Sequence, residues 1–322
     1  MKPLQFLGLA VVAIAPGPRG AAREIVVAAD GSGDCKSVQA AIDAAPANAA
    51  TRTVIFVRRG QYPELVVVPP EKQNLTLRGE DRSGTVIAAT NNARLNPRRR
   101  EMFSVAADGF VLENITLHNT TPKGGSQAEA IHVRADRCVL RHCDFKSFQD
   151  TLRLEGRVYV RDCYVEGDVD FVWGSGTVYF DRCELKAVNN GYLVQSRNGA
   201  GAPGYVFVDC RLTGAPHVER YVLARIEPDR FPNSQVAFVH CAMGPHVSPV
   251  AWQLDKVKGA DALGPVYHLQ FGEYQSTDLA GQPLEVSQRH PVSRQLTADE
   301  ADRLRDIGRV LGGADHWNPV RE

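Results

Sequence analysis

Two aspartates, Asp150 and Asp170, are the residues of this sequence best placed to do chemistry together. Each lies seven residues after a cysteine, Cys143 or Cys163, so the two acids hold the same place in consecutive repeats. If the repeats stack as coils, the two carboxyl groups face each other about 5 Å apart, one strand spacing. Two carboxyl groups at that distance cannot both ionise freely, so one is pushed towards its neutral form. Such a pair can supply a nucleophile and a general acid at one site.

The cysteines belong to a sequence repeat that predicts stacked coils. Each repeat has apolar residues in period-two alternation around one slot, which a cysteine fills five times and Ile115 fills once. The cysteines in this slot are Cys143, Cys163, Cys183, Cys210 and Cys241. A repeat of about 20 residues made of strands and turns predicts a parallel β-helix, with the length variation in loops on one side. A β-sandwich or a propeller is the alternative, but hairpin turn signals are few.

The same repeat bears on the seven cysteines of the chain. In an exported protein an odd number first suggests disulfides and one free thiol. Stacked positions on neighbouring coils are poorly arranged for a disulfide, so we interpret the five repeat cysteines as buried thiols that act as small apolar side chains. No two cysteines have CxxC spacing, so their pattern does not indicate a zinc site.

Composition narrows the class of protein further. The chain has 322 residues, 43% of them hydrophobic, and a formal net charge of zero. This balance gives no reason to expect nucleic acid or an anionic membrane surface as a partner. The run Arg98-Arg99-Arg100 is interpreted as a solvated loop, with contact to an acidic polymer as the alternative.

The N-terminus has the pattern of an export signal. Lys2 precedes a mostly apolar stretch from Leu4 to Ala15, and small residues follow up to Ala22. The stretch is too short to cross a bilayer, and no other segment could. We therefore predict a signal peptide over residues 1–22, a secreted or periplasmic location, and one domain over residues 23–322 that is a monomer.

Two helical patterns flank the repeats. Residues 37–45 predict a short amphipathic helix that covers the first coil, because Val38, Ala41 and Ile42 share one face. Near the C-terminus, Thr297 and Glu300 form a capping-box pattern before a helix predicted over residues 298–311. Exposed strands at the ends of a solenoid need such covers.

Three further polar residues belong with the aspartate pair. Gln149 adjoins Asp150, Gln127 opens the segment that leads to the Cys143 coil, and Arg225 lies after Cys210. Any one of them alone would be interpreted as a surface polar group. Together with the two carboxyl groups they make a site whose parts have distinct chemical uses.

The chain resembles the pectin methylesterases, which belong to the right-handed parallel β-helix group of pectin and pectate lyases. The resemblance covers about residues 25–319 and rests on four motifs: Gly60-Gln61-Tyr62-Pro63-Glu64, Gln127-Ala128-Glu129-Ala130-Ile131, Gln149-Asp150-Thr151-Leu152 and Asp170-Phe171-Val172-Trp173-Gly174. The last two, about twenty residues apart, are the specific ones. The resemblance implies an all-β fold, a single-stranded right-handed parallel β-helix with short capping helices. It also implies hydrolysis of the galacturonate methyl esters of pectin to pectate and methanol.

The resemblance assigns a role to each site residue. Asp170 would be the nucleophile, and Gln127 and Gln149 would donate N–H groups to the oxyanion. Asp150 would be the neutral partner that protonates the departing methanol and then activates water. Arg225 would pair with Asp170. No metal or organic cofactor is needed, and the partner is methylated polygalacturonate.

One segment departs from the family pattern. The family usually has Leu-Gly-Arg-Pro-Trp around its arginine, whereas this chain has Leu223-Ala224-Arg225-Ile226-Glu227. Glu227 thus replaces an aromatic residue of the sugar groove, and we hypothesise that it repels free galacturonate carboxylates. The remaining candidates for sugar-stacking surfaces, which could equally be packing residues, are Phe171, Trp173 and Trp252.

Three other functions compete with pectin demethylation. Asp150, Asp168 and Asp170 could bind calcium in a pectate-lyase-like enzyme, although such a reaction has no use for the two glutamines. The altered arginine segment leaves open a thioesterase or another acyl esterase on the same scaffold. A β-helix could also bind polysaccharide without catalysis.

Overall fold

The computed structural model describes residues 24–256 and 268–321, so the predicted signal peptide lies outside the described residues. The strands, numbered in chain order, are β1 Glu24–Val27, β2 Thr53–Val57, β3 Gly60–Tyr62, β4 Val66–Val68, β5 Leu75–Gly79, β6 Thr85–Ala89, β7 Phe103–Val105, β8 Val111–Glu113, β9 Thr116–Asn119, β10 Ile131–Val133, β11 Cys138–Arg141, β12 Asp144–Lys146, β13 Leu152–Leu154, β14 Arg157–Arg161, β15 Tyr164–Gly174, β16 Thr177–Asp181, β17 Glu184–Ser196, β18 Tyr205–Val208, β19 Arg211–Gly214, β20 Tyr221–Ile226, β21 Gln235–Val239, β22 Ala242–Met243, β23 Trp252–Leu254, β24 Gln270–Tyr274, β25 Thr277–Asp278 and β26 Ser293–Gln295. The helices are α1 Val38–Ala44, α2 Ala298–Arg305 and α3 Ile307–Leu311, followed by a 3-10 turn at Pro319–Arg321.

These strands stack in parallel, each on the strand of the next coil. One sheet runs in the order β1-β2-β5-β8-β11-β14-β16-β18-β21-β24-β26. A second sheet runs β3-β6-β9-β12-β15-β17-β19-β22-β25. The strands β4, β7, β10 and β13 form a further stack beside it, and the last of them, β13, pairs with β15. The strands β15 and β17 bend across both stacks, with register shifts between Gly167 and Val172. This topology confirms the predicted parallel β-helix.

Each coil turns its first corner at a residue in the left-handed region, just before the cysteine slot. His142, Asp162, Arg182, Asp209 and His240 have φ values of 51–54°. Residues other than glycine rarely adopt this backbone conformation within regular strands. Because it recurs just before each cysteine slot, the turn lies at the same point of every repeat. The spacing of the cysteines in the sequence is therefore the spacing of these corners.

The interior of the coil is filled by stacked apolar side chains. All five repeat cysteines are buried and free, which confirms the prediction of thiols that pack as apolar groups. Phe180, Phe207 and Phe238 stack on one another with ring centroids 4.5 and 4.6 Å apart. Because each coil repeats the same inward positions, the register of the strands is fixed by this column packing.

The helices agree only partly with the sequence prediction. α1 is capped by Ser37 and packs on the first coil, as predicted. The C-terminal helix is interrupted at Asp306, whose extended backbone ends α2 and whose side chain accepts a hydrogen bond from the Arg309 N–H to cap α3. These two helices pack against β14, β16 and β21 on the outer face of the first sheet. The prediction that the C-terminal helix covers the end of the coil was therefore wrong. No helix of the described residues is long and apolar enough to cross a membrane.

Candidate active site

Asp150 and Asp170 both lie at the second corner of their coils. Each adopts a left-handed backbone, with φ values of 69° and 50°, which aspartate tolerates better than most residues. Leu152 is in register with Val172, two residues after each acid, and the Asp150 N–H donates to the Val169 carbonyl at 3.0 Å. Both acids are 6% exposed. The structure thus places the two carboxyl groups on adjacent coils, one above the other.

Asp170 has a dedicated counter-ion. The Arg225 guanidinium, on β20, donates from Nε to Oδ1 at 2.8 Å and from Nη2 to Oδ2 at 2.5 Å. Its Nη1 also contacts Asp255 at 3.2 Å, and its Cζ lies 4.2 Å from the centre of the Tyr192 ring. The hydrogen bonds to Asp170 raise the pKa of Arg225, so the arginine stays charged. A bidentate pair of this kind fixes the direction of the carboxylate as well as its charge.

Asp150 is in a different environment. Burial is the main reason that its pKa is raised well above the ordinary value, and the negative charges of Glu129 and Asp170 add to the effect. Arg100 and Arg197 oppose the shift. The two aspartates are therefore unequal. Asp170 forms a bidentate ion pair with an arginine, whereas Asp150 is held towards its neutral form.

Gln127 and Gln149 are half-buried and border the aspartate pair. The Ser126 hydroxyl donates to the Gln127 Oε1 at 2.9 Å, which fixes the amide with its nitrogen as the remaining polar atom. The Ala128 N–H donates to the Gln149 carbonyl at 3.1 Å, so the two glutamines lie on adjacent coils, as the aspartates do. An amide nitrogen of this kind is a hydrogen-bond donor, and both glutamines are partly accessible to solvent.

Arg100 belongs to this site, which corrects the interpretation of its run as a solvated loop. Its Nη2 lies 3.0 Å from the Asp150 Oδ2, and its Nε donates to the Glu129 Oε1 at 2.8 Å. Only Arg98 is exposed as expected. The loop before β7 carries no periodic pattern, so the position of Arg100 could not be predicted from its spacing. Glu129 could have been found, because it lies two residues before β10, as Asp150 lies two residues before β13.

Two of the proposed sugar-stacking residues are core residues. Phe171 is 1% exposed and packs at a tilt on Tyr221, with ring centroids 6.2 Å apart. Trp252 is also 1% exposed; its ring stacks on Phe271 and its Nε1 donates to Glu273 at 3.1 Å. A sugar ring cannot reach a side chain buried in this way, so the packing alternative holds for both.

Trp173 lies at the site, and guanidinium groups lie over its ring. The Arg153 and Arg197 guanidinium carbons lie 4.5 Å from its ring centre, and that of Arg100 lies at 5.1 Å. Cation–π contacts of this kind hold guanidinium groups over an aromatic face. Trp173 is also 6% exposed, so its indole face is covered and is not free to stack on a sugar ring.

Glu227 is paired, which removes the basis for the predicted repulsion. Lys256 Nζ contacts its Oε1 at 2.9 Å, and Arg230 lies 3.6 Å from its Oε2. The bond to Lys256 lowers the pKa of Glu227, so the carboxylate is charged, but two cations offset that charge. A free galacturonate carboxylate nearby would meet one carboxylate flanked by two cations, so no net repulsion is expected.

A cavity of about 410 Å³ adjoins Gln149. Its lining includes Lys123, Asp168, Asn189 and His217. Asp168 is engaged by the Asn189 amide at 3.2 Å and by the Val169 N–H at 2.7 Å. Within residues 24–256 and 268–321 no group of three or more His, Cys, Asp or Glu side chains is arranged to hold a metal ion.

A parallel β-helix that carries an unequal pair of carboxyl groups beside two amides has the fold and the polar groups of a β-helical ester hydrolase. The sequence matches the Pectinesterase family over residues 24–293. It is 39% identical to Pectinesterase 31 of Arabidopsis thaliana over 60% of this chain and 65% of that protein. It is 30% identical to Probable pectinesterase 67 of the same plant over 92% and 86% of the two chains. The chain therefore belongs to the pectinesterase family.

Solved structures agree with this assignment. Pectin methylesterase from carrot superimposes with a TM-score of 0.81 at 27% identity, over 94% of this chain and 96% of that one. Pectin methylesterase from Erwinia chrysanthemi superimposes with a TM-score of 0.73 at 26% identity, over 92% and 98%. The likeness confirms the predicted right-handed parallel β-helix.

Proposed function

We propose that this protein hydrolyses galacturonate methyl esters in pectin through Asp170 and Asp150. The observation that carries the assignment of roles is the inequality of the two acids. Asp170 has a bidentate arginine, whereas burial and neighbouring charges raise the pKa of Asp150. A nucleophile must be charged and a general acid must hold a proton, so the two environments fit two different tasks.

In the first step, a carboxylate oxygen of Asp170 attacks the ester carbonyl carbon. The carbonyl oxygen becomes an oxyanion that accepts hydrogen bonds from the amides of Gln127 and Gln149. Asp150 then gives its proton to the methoxy oxygen as the bond to carbon breaks. Methanol leaves, and the galacturonyl group remains on Asp170 as an acyl-enzyme.

In the second step, the ionised Asp150 takes a proton from a water molecule that attacks the same carbon. The oxyanion forms again at the same amides, and the bond to Asp170 breaks. The products are a free galacturonate carboxyl group and Asp170 as a carboxylate, with the proton back on Asp150. Atoms and charge balance without a metal or an organic cofactor.

The surface around the site suits an anionic polysaccharide. Arg153 and Arg197 lie over Trp173 beside the aspartates, and Lys123 and His217 line the cavity beyond Gln149. A solved relative, a pectin methylesterase, is described in complex with a hexasaccharide. The substrate, the polymer pectin, lies outside cells, and we propose that this chain acts there as a secreted or periplasmic monomer.

The test is methanol release from methylated pectin by the wild type and by Asp170→Asn. We expect release by the wild type and its loss in the variant, because an amide cannot act as the nucleophile. Asp181→Asn is the matched control, since Asp181 is also a buried aspartate but lies on β16. No release by the wild type would refute pectin demethylation and leave another ester as the substrate. Release of an unsaturated uronate that stops when EDTA is added would favour the lyase alternative.

A further inference from the structure

Glu129 is a buried carboxyl group with no part in the mechanism above. Its exposed fraction is 0%. One oxygen, Oε1, accepts a hydrogen bond from Arg100, whereas Oε2 is buried and has no hydrogen-bond partner among the described residues. Burying a carboxyl group is costly unless its charge is balanced or it takes up a proton. Glu129 therefore needs either a balancing cation or a proton at its place beside the aspartate pair.

The register of the coils places Glu129 directly below Asp150. Ile131 is in register with Leu152, and each follows its acid by two residues. The Ala130 N–H donates to the Thr151 carbonyl at 2.9 Å, which confirms the register at the corner itself. Stacked parallel strands lie about 4.8 Å apart. Glu129, Asp150 and Asp170 thus form a column of three acids on three successive coils, which we call the acid column.

Arg100 joins the lower two members of the acid column. Its guanidinium contacts the Glu129 Oε1 at 2.8 Å and the Asp150 Oδ2 at 3.0 Å. Its side chain is 20% exposed, so water screens these contacts only partly. At the upper end, Arg225 pairs with Asp170. Each end of the column therefore has its own arginine.

Asp150 faces charges of both signs. The negative groups are Glu129 below and Asp170 above, and the positive groups are Arg100 and Arg197. Arg197 donates from its Nε to the neutral Gln195 Oε1 at 2.7 Å. Without Glu129, the balance around Asp150 would move towards positive charge, which favours an ionised carboxylate.

We propose that Glu129 is a positioning residue that balances the charge of Arg100 and so lets Asp150 keep the proton that the first step requires. This inference rests on the proposed function. Glu129 touches no reacting atom and acts through Arg100. After Asp150 has given up its proton, the same Arg100 contact stabilises the carboxylate that must activate water in the second step. Burial raises the pKa of Glu129, and the charge of Arg100 opposes that shift. Because Glu129 and Asp150 contact the same guanidinium group, a change of charge on one carboxyl group affects the other.

The experiment measures kcat/KM for methanol release against pH. Activity falls on the alkaline side as Asp150 loses its proton, so the position of that limb reports on Asp150. Glu129→Gln keeps the size of the side chain and removes its charge. We expect the alkaline limb to move to lower pH by about one unit, in line with the usual effect of an unbalanced charge a few ångströms away. Above the limb, that shift is about a tenfold loss of activity.

Three further variants test whether the shift of the limb comes from the charges of Glu129 and Arg100. Glu129→Asp retains the charge and should leave the limb near its wild-type position. Arg100→Met removes the cation and should move the limb to higher pH, the opposite direction. The double variant Glu129→Gln with Arg100→Met should return the limb towards the wild type. A purely structural role would lower activity equally at all pH values, without opposite shifts and without this restoration.

A matched control exists in Glu273, which is also 0% exposed and pairs with Arg289 at 2.8 Å. Glu273→Gln should lower stability and leave the limb where it is. A wild type that releases methanol together with an unmoved limb in Glu129→Gln and Arg100→Met overturns the inference and leaves the proposed function standing. A wild type that releases no methanol fails the proposed function itself.

Discussion

The amide of Gln127 is the part of the site whose removal gives the sharpest test of the mechanism. Gln127→Met keeps the length of the side chain and removes the N–H donors. Loss of one oxyanion donor generally costs about 100- to 1,000-fold in kcat. Gln127 is half-buried, so water can replace part of the lost donation. We therefore expect the lower end of this range, about 100-fold or roughly 2.7 kcal/mol, with KM changed less than about threefold.

The Ser126 hydroxyl allows the same prediction to be tested as a cycle. Ser126→Ala removes the hydrogen bond to the Gln127 Oε1 and keeps the Cβ. The backbone of Ser126 has a φ of 123°, and the strain of this conformation is the same for alanine as for serine. We expect about a fivefold loss of kcat, equivalent to one hydrogen bond of roughly 1 kcal/mol. In the Gln127→Met background the serine substitution should have no further effect, since the amide that it holds is gone.

The assay is the initial rate of methanol release over a range of pectin concentrations. Gln61→Met is the control, because Gln61 is an exposed glutamine on β3. A loss of kcat below about fivefold in Gln127→Met would refute the oxyanion role. Losses that simply multiply in the double variant would refute the role of Ser126 in holding the amide.

Three other predictions concern stability and specificity. Asp150→Asn should stabilise the fold at pH 7, by about 1.4 kcal/mol for each unit by which the pKa of Asp150 is raised. Between the ordinary pKa of 3.8 and the raised pKa, the native state keeps a proton that the unfolded chain has lost, so the wild type loses stability as pH rises. Urea unfolding at pH 3.5 and pH 7 measures it, and an equal effect at both values would contradict it. Trp252→Ala should lower the free energy of unfolding by about 3–5 kcal/mol and leave KM unchanged, whereas a raised KM would restore its role in sugar binding. Glu227→Gln should alter the ratio of rates on weakly and highly esterified pectin by less than about twofold, since exposed ion pairs contribute little, and a larger gain on weakly esterified pectin would restore the repulsion hypothesis.

The fold and the centre of the site could be predicted because both follow from one repeat. The cysteine slot marks a corner that recurs in every coil, and two acids at equal distances from it must stack. Gln149 is next to Asp150 in the sequence, whereas Gln127 was indicated only by the resemblance to the pectin methylesterases, because the residue in register with Gln149 is Ala128. Local spacing along the chain thus determined contacts between coils, which is unusual and holds only where the coil length is constant.

The residues that could not be predicted are those placed by contacts outside the repeat. Arg100 lies on an irregular loop, so nothing in its spacing indicated Asp150 as its neighbour. Trp252 could be either a sugar-stacking or a packing residue from its sequence, and only the position of β23 places its ring against Phe271. The break at Asp306 had a local signal, an aspartate three residues before Arg309 that caps the next turn, but the surrounding helical pattern concealed it.

The corner position of Asp150 and Asp170 has a consequence for how this protein can change length. The gap between the two acids is set by hydrogen bonds between neighbouring coils, and loop length does not enter it. A coil added or removed on either side of the pair would lengthen or shorten the sugar-binding face and leave the gap as it is. A coil inserted between Cys143 and Cys163 would instead double the separation, to about 9.6 Å, and end the chemistry. Growth by duplication is therefore compatible with the site only outside the stack of coils that runs from Gln127 to Arg225.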